Sequence, residues 1–251
     1  FLKFIMFNMF FNKNSIMKNY SKKFNIIKKL IKNAEPVIVE IGAHYGEDSL
    51  RFKHIFPDAS LHCFEPDPRN ISIFKKHVHL NKVFLYELAL SNTNGEKNFY
   101  QSFDEDKVYN VPDKYDWISL EDYNLLKLNN SGSSSLKKGY QKTLSEKILV
   151  RTERFDNWAK NHNIGLIDLV WIDVQGAEGD VIDGMGEKIK SINYVWIEYG
   201  EKSYEDSLSR EETLALLRDK GFYLVNHLSS KNQSGDLLFS RKKITLFKYF
   251  F

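Results

Sequence analysis

Residues 39–50 read Val-Glu-Ile-Gly-Ala-His-Tyr-Gly-Glu-Asp-Ser-Leu (VEIGAHYGEDSL), and this stretch decides the fold. An apolar run from Val37 to Val39 reaches an acid at Glu40, glycines follow at Gly42 and Gly46, and amphipathic spacing resumes at once. That order is strand, tight turn, helix. Glycine has no Cβ and tolerates positive φ, so the backbone of such a turn can pass close to a ligand. In the dinucleotide fingerprint G-x-G-x-x-G the middle glycine admits a pyrophosphate against the helix N-terminus. Here that position is His44. A ring beside the backbone obstructs a pyrophosphate, whereas a smaller, uncharged or cationic group held partly by Glu40 still fits.

Leu61 to Phe64 is a second apolar run, and it ends in Glu65, about twenty residues past the turn. A carboxylate at that distance ends the second strand and can take both ribose hydroxyls. S-adenosylmethionine meets these demands: it has a ribose, no phosphate, a sulfonium and an ammonium. Taken singly, Glu40 reads equally as a capping or solvated acid and Glu65 as a loop acid. Together with the two glycines they favour the cofactor.

Four further segments follow in order: FEPDPRN (64–70), LALSN (88–92), SGSSSL (131–136) and DLVWIDVQGAEGDVIDGM (168–185). With the opening stretch they resemble the FkbM family of S-adenosylmethionine-dependent methyltransferases, over roughly residues 37 to 240. The first and last segments are specific and the serine segment is weak. Glu40 stands where the family often has Asp, which keeps the charge. Gln175 stands where it usually has Glu, which removes one. The resemblance implies a Rossmann-like class I methyltransferase fold: an α/β domain with a central, mostly parallel twisted sheet, helices on both faces and an antiparallel terminal strand. It also implies O-methylation, often of a sugar or another hydroxylated metabolite. Laid on this sequence, it places the cofactor among Glu40, Gly42, Ala43, His44, Gly46 and Ser49, then Glu65 and Pro66, then Glu87 and Ala89, then Asp173 and Val174.

A chain of 251 residues, 42% hydrophobic and 14% aromatic, suffices for one α/β domain with a full core. With 36 basic and 33 acidic residues the net charge is only +3, which leaves no nucleic-acid footprint. The single cysteine, Cys63, rules out an intrachain disulfide, reads as a buried thiol in the second strand, and points to a reducing, cytoplasmic setting. The apolar start, FLKFIMFNMFFN, is shorter than the roughly 20 residues that cross a bilayer. It also lacks a signal-peptide cleavage site. Because the chain begins with Phe1, residues 1–16 read as upstream translated sequence or a fragment's edge, with Met17 as a start. Lys18, Lys22, Lys23, Lys28, Lys29 and Lys32 would suit an interfacial anchor, although a lysine-rich first helix is usually a solvated face.

Residues 1–35 form an N-terminal extension with a basic helix, Ser21 to Asn33, whose Phe24, Ile27 and Ile31 keep helical spacing. A single domain follows over 36–245. Its pattern predicts a strand at 37–41, a helix from Glu47 to Ile55 stopped by Pro57, and a helix capped by Asp67 with Pro68 at its first position. A third strand is expected over Val83 to Leu90. An insertion at about 101–130 has no sustained period, and its Tyr109, Tyr115, Trp117 and Tyr123 suit a contact surface or lid as well as a surface excursion. The hydroxyls of Ser131 to Ser135 suit a polar substrate. Strands are expected again at Lys147 to Arg151, at Ile167 to Val174 as a buried central strand, and at Tyr194 to Glu198. Phe155 to Asn161 reads as a short helix, Ser209 with Glu212 as a capping box, and Tyr223 to Leu228 with Leu237 to Arg241 as an antiparallel pair.

Open α/β sheets bind ligands beyond the carboxyl ends of their strands, and those ends carry Glu40, His44, Glu65, Glu87, Asp173, Gln175, Glu178 and Glu198. Methyl transfer to a hydroxyl needs an in-line geometry and removal of a proton by a base or a metal. Asp173 is the first choice for the base or for a metal ligand. Its bland reading is a cap of the following helix. Glu178 is second and equally suits the helix dipole; Glu198 is a third candidate, and His44 serves as acid/base or as a hydrogen-bonded turn residue. Asp173, Glu178 and Glu198 together could hold Mg²⁺, a lesser option than direct binding of a hydroxylated substrate. The acceptor is then a small molecule or carbohydrate, with no nucleic acid as partner. His77 and His79 face different ways on a helix and make no zinc site. Two other classes stay open. A nicotinamide-dependent oxidoreductase shares the strand and turn, against the evidence of His44. A non-catalytic membrane-surface or binding protein would use the basic N-terminal segment and the aromatic insertion.

Overall fold

The strand foreseen at 37–41 forms as β1 (Val37–Ile41), with Ile38 on one buried face and Val39 and Ile41 on the other. The computed structural model describes residues 22–106, 108–140, 144–200, 203–229 and 234–244. The apolar start at 1–12, with Met17 and Lys18, lies outside the described residues. Before β1, helix α1 (Lys22–Leu30) buries Phe24, Ile26, Ile27 and Leu30 against the Ile38 face, while Lys28 and Lys29 stay exposed. The basic helix thus shares the core of the domain that follows it.

Two βα steps come next: α2 (Glu47–Ile55), β2 (Ser60–Phe64), α3 (Pro68–His77) and β3 (Val83–Tyr86). The Asp67 side chain accepts from the Arg69 backbone N–H at 2.9 Å and starts α3 as its spacing predicts. The third strand is shorter than its apolar run. It ends at Tyr86, and the chain resumes as β4 (Ala89–Ser91) in a separate three-stranded sheet with β5 (Gly95–Phe103) and β6 (Leu144–Arg154). β5 and β6 pair antiparallel from Gly95↔Thr152 to Phe103↔Leu144. Between them the insertion forms a short helix, α4 (Leu120–Leu125), and packs Tyr115, Ile118, Tyr123 and Leu128 on Tyr45 and Ile73.

The second half runs α5 (Phe155–Asn161), β7 (Ile167–Ile172), α6 (Glu178–Gly184), β8 (Ile192–Gly200), α7 (Arg210–Asp219), β9 (Tyr223–Ser229) and β10 (Ser234–Ser240). Every residue of β7 is buried, as befits a strand covered on both faces. The capping box of Ser209 and Glu212 opens α7. The main sheet has the order β3-β2-β1-β7-β8-β10-β9. It is parallel except at β10, which runs antiparallel to both β8 and β9. Helices α1, α2 and α3 supply the core on one face, and α5, α6 and α7 on the other. From β1 the chain turns one way to β2 while β7 lies on the other side, so connections diverge above β1 and β7 and open a crevice. Among the described residues no helix is long and apolar enough to cross a membrane.

Candidate active site

At the end of β1, Gly42 has φ +88, and a Cβ there would stand 1.8 Å from the Asp173 carbonyl oxygen. Only glycine lets the turn close on the end of β7, where the Asp173 N–H also donates to the Ile41 carbonyl at 3.0 Å. Gly46 is needed for another reason. A Cβ on it would meet Val78 at 2.5 Å and Phe74 at 2.9 Å, so it seats α2 on α3 and does not line the cavity.

A cavity of about 570 Å³ opens above these strand ends. Glu40, Gly42, Ala43, His44, Glu65, Pro66, Ala89, Asp173, Val174 and Gln175 line it, as do Tyr115, Tyr123 and residues 131–134 from the insertion and its flank. The aromatic insertion therefore forms a wall of this cavity, although Tyr109 points to solvent at 82% exposure.

One end of the cavity is built around Glu65. Its carboxylate accepts from the backbone N–H groups of His44 (2.8 Å) and Asp67 (2.9 Å) and from the Asn70 amide at 3.2 Å. Burial raises its pKa to about 7, against the pull of His44. The carbonyl oxygen of Asn70 is buried with no partner, an arrangement that costs about 1–3 kcal/mol until a donor arrives. A ribose hydroxyl beside Glu65 is such a donor, so this end fits a nucleoside cofactor. Glu40 is 1% exposed and accepts from the Ser49 hydroxyl and, at 3.6 Å, from the Cys63 thiol. Burial, then the charge of Asp48, pushes its pKa well above the carboxylate range. Ser49 is spent on this bond behind the cavity wall and lines nothing.

His44, at φ 50, ties three parts together. Its ring contacts Glu47 at 2.9 Å through Nδ1 and the Ser131 hydroxyl at 3.1 Å through Nε2. Burial disfavours its charge, but Glu47, Glu65 and Asp173 hold its pKa above the ordinary histidine value. Ser131 also meets the Tyr45 hydroxyl at 2.5 Å.

At the end of the cavity beside β7, the acids proposed from sequence separate. The Gln175 amide nitrogen donates to Asp173 at 2.7 Å and to Glu198 at 2.8 Å. Burial, then Asp173, raises the Glu198 pKa to about 10. Glu198 is thereby biased toward its neutral form, with the Gln175 amide between it and Asp173. Glu178 does not join them. Its carboxylate accepts from the N–H groups of Val174 (3.3 Å) and Gly176 (3.1 Å), which fixes the turn before α6, and burial raises its pKa to about 7. The trio does not converge as a metal site, and no group of three or more His, Cys, Asp or Glu among the described residues is placed to hold an ion. Glu87 is also corrected. Where β3 stops and the chain crosses to the second sheet, this acid is carried to the surface, 51% exposed and paired with Lys75 at 2.6 Å. His77 packs edge-on against Trp117, and His79 bonds the Lys76 carbonyl.

Sequence reasoning put Gln175 at a strand end without a contact, and it missed Asn70, Tyr45 and Tyr204 altogether. The Tyr204 hydroxyl lies 3.1 Å from both the Gln175 side-chain oxygen and the Ser133 carbonyl. Asn70, five residues past Glu65 on a capped helix, carried a readable signal; Tyr204 carried none.

Residues 40–224 match the family described as "Methyltransferase FkbM domain". The 2-O-methyltransferase NoeI of Sinorhizobium fredii (strain NBRC 101917 / NGR234) is 33% identical over 228 residues, 87% of this chain and 84% of that protein. Methyltransferase sdnD of Sordaria araneosa is 26% identical over 208 residues, 75% of this chain and 74% of the other. Among solved structures, M. capricolum TrmK in complex with S-adenosylhomocysteine gives a TM-score of 0.48 at 12% identity, covering 89% of this chain and 69% of that one. By the family match and the identity to the first relative, the chain belongs to the FkbM family of S-adenosylmethionine-dependent methyltransferases.

Proposed function

We propose that this methyltransferase O-methylates a hydroxyl of a polar small molecule, sugar or glycan, with Asp173 as the base. The observation that carries the reading is the position of Asp173: it follows β7 on the cavity wall, closes on Gly42 of the turn after β1, and shares the Gln175 amide with Glu198. When bound, S-adenosylmethionine supplies a methyl group on a sulfonium leaving group. Glu65 and Asn70 would hold its ribose end, with the 42–44 turn beside them. The acceptor oxygen must stand about 3 Å from the methyl carbon, in line with the breaking bond. As the O–C bond forms, the hydroxyl proton passes to the Asp173 carboxylate. Burial and the neighbouring Asp173 push the Glu198 carboxyl toward its neutral form, which limits the charge that the pair presents to the acceptor.

The hydroxyls of Ser131, Ser133, Ser134, Tyr115 and Tyr123 on the cavity wall support a hydroxylated acceptor. So does the relative whose name is 2-O-methyltransferase. A cytoplasmic location goes with this reading, supported by the lone, buried thiol of Cys63. Mass spectrometry of extracts from cells with and without the enzyme should find one compound class that gains a methyl group. On that compound, Asp173→Asn should lose at least about 100-fold in turnover while S-adenosylhomocysteine affinity by calorimetry stays within about threefold. Equal turnover in the two proteins removes Asp173 from the chemistry.

A further inference from the structure

The Gln175 side chain occupies a place suited to a cation. Its Nε2 lies 2.7 Å from Asp173 Oδ1 and 2.8 Å from Glu198 Oε2, so each of its two protons serves one acid. Two carboxyl groups drawn to one point are held there by a proton, a cation or N–H donors between them. A calcium ion would sit at about 2.3–2.6 Å from such oxygens, little closer than this nitrogen does. The backbone is bent to put the amide there. Gln175 has φ 54 and Gly176 φ 96, a conformation kept only where the surroundings enforce it. A Cβ on Gly176 would stand 2.6 Å from the Tyr204 Cβ, so the glycine lets Tyr204 close over the amide, with its hydroxyl 3.1 Å from Gln175 Oε1. Glu178 holds the same turn through the Val174 and Gly176 amides. The other charged or titratable groups acting on this cluster are Asp236, Lys23 and His44.

We propose that Gln175 is a positioning residue for methyl transfer, its amide replacing a bridging cation and orienting Asp173 beside Glu198 at the cavity wall. The inference rests on the reading of Asp173 as the base. Gln and Glu have nearly the same shape, so Gln175→Glu exchanges the two donors for a third carboxylate at the same place. That variant should present a divalent-cation site. Gln175→Ala should vacate the place and admit a cation more weakly.

Mn²⁺ titrations followed by electron paramagnetic resonance test this on the full chain, with S-adenosylhomocysteine calorimetry on each protein to check folding and cofactor binding separately. Gln175→Glu should bind one Mn²⁺ at least about tenfold more tightly than the wild type, and adding Asp173→Asn should abolish the gain. Gln175→Ala should fall between, and it carries the test if Gln175→Glu does not fold. On the identified acceptor, Mn²⁺ should restore part of the turnover lost in Gln175→Glu. The proposal is overturned if variants that still bind S-adenosylhomocysteine gain no Mn²⁺ affinity. A gain in Gln175→Glu that survives Asp173→Asn overturns it as well.

Discussion

A methyl group on Gly42 would have to share space with the Asp173 carbonyl oxygen, 1.8 Å away, in a backbone conformation that side chains resist. Gly42→Ala should therefore cost more than about 2 kcal/mol in denaturant unfolding and abolish S-adenosylhomocysteine binding. Gly165, where a Cβ meets nothing within 4 Å, is the control. Gly165→Ala should stay within about 0.5 kcal/mol of wild type. The buried acids make a second prediction at this scale. Burial raises Glu65 and Glu178 to about 7 and Glu198 to about 10, all above the carboxyl value in an unfolded chain. At these three groups the folded state binds more protons than the unfolded state, so their contribution to stability falls as pH rises, against the opposite and smaller-range contribution of His62 below the ordinary histidine value. The share from Glu65 and Glu178 is complete at acid pH and gone by about 7; that from Glu198 persists until about 10. Thermal midpoints measured from pH 5 to 9 should decline accordingly. Glu178→Gln should flatten the lower part of that slope, since an amide oxygen can still accept from Val174 and Gly176 but does not titrate. An unchanged slope would assign the dependence elsewhere.

Among the elements, those whose signals are local were legible. α2 stops before Pro57, α7 begins with a capping box, and β7 is a short buried run, apolar but for Asp168; each formed close to where the sequence puts it. The antiparallel pair at the end of the sheet formed too, although its antiparallel member β10 lies inside, between β8 and β9. What stayed hidden depended on distant partners. β5, Gly-Glu-Lys-Asn-Phe-Tyr-Gln-Ser-Phe, is half polar and is a strand because β6 pairs with it from beyond the insertion. The apolar run from Val83 to Leu90 gives no hint that two sheets divide it. Arg69 holds these parts to the main sheet: its guanidinium reaches Asp67 at 2.7 Å, the Ser102 and Lys127 carbonyls, and the Ser134 hydroxyl. Arg69→Ala should lower stability by about 2 kcal/mol and speed hydrogen exchange across 120–134 more than in β1 or β7. Arg69→Lys should recover little, because an ammonium cannot reproduce the planar fork. Uniform exchange rates in the alanine variant would show that the insertion is not held by this residue.

Across the whole molecule, the cavity lining at the strand ends was readable and the lining from the insertion and its flank was not. Glu40, Gly42, Glu65 and Asp173 sit at the ends of successive strands, where a parallel sheet gathers them by topology alone. Ser131 against His44 and Tyr204 over Gln175 join segments far apart in sequence, with no periodic signal to announce them; the pull of Glu178 is local, but onto the backbone amides of its own turn and not into the cavity. The cavity is accordingly a composite. Its walls come from the main sheet, from Ala89 and Phe99 of the second sheet, and from Tyr115, Tyr123 and 131–134 of the insertion. A ligand that fills it touches all three and should make them behave as one unit. S-adenosylhomocysteine should then raise the thermal midpoint with the logarithm of its concentration, by the equivalent of about 2.7 kcal/mol at one hundred times its dissociation constant. Limited proteolysis within 104–130 should slow over the same concentration range, with the midpoint of protection equal to the calorimetric dissociation constant. Protection of the main sheet alone, with cleavage of the insertion unaffected, would mean that the insertion is not part of the cofactor site; the acceptor would then have to be sought between Asp173, Gln175 and Tyr204.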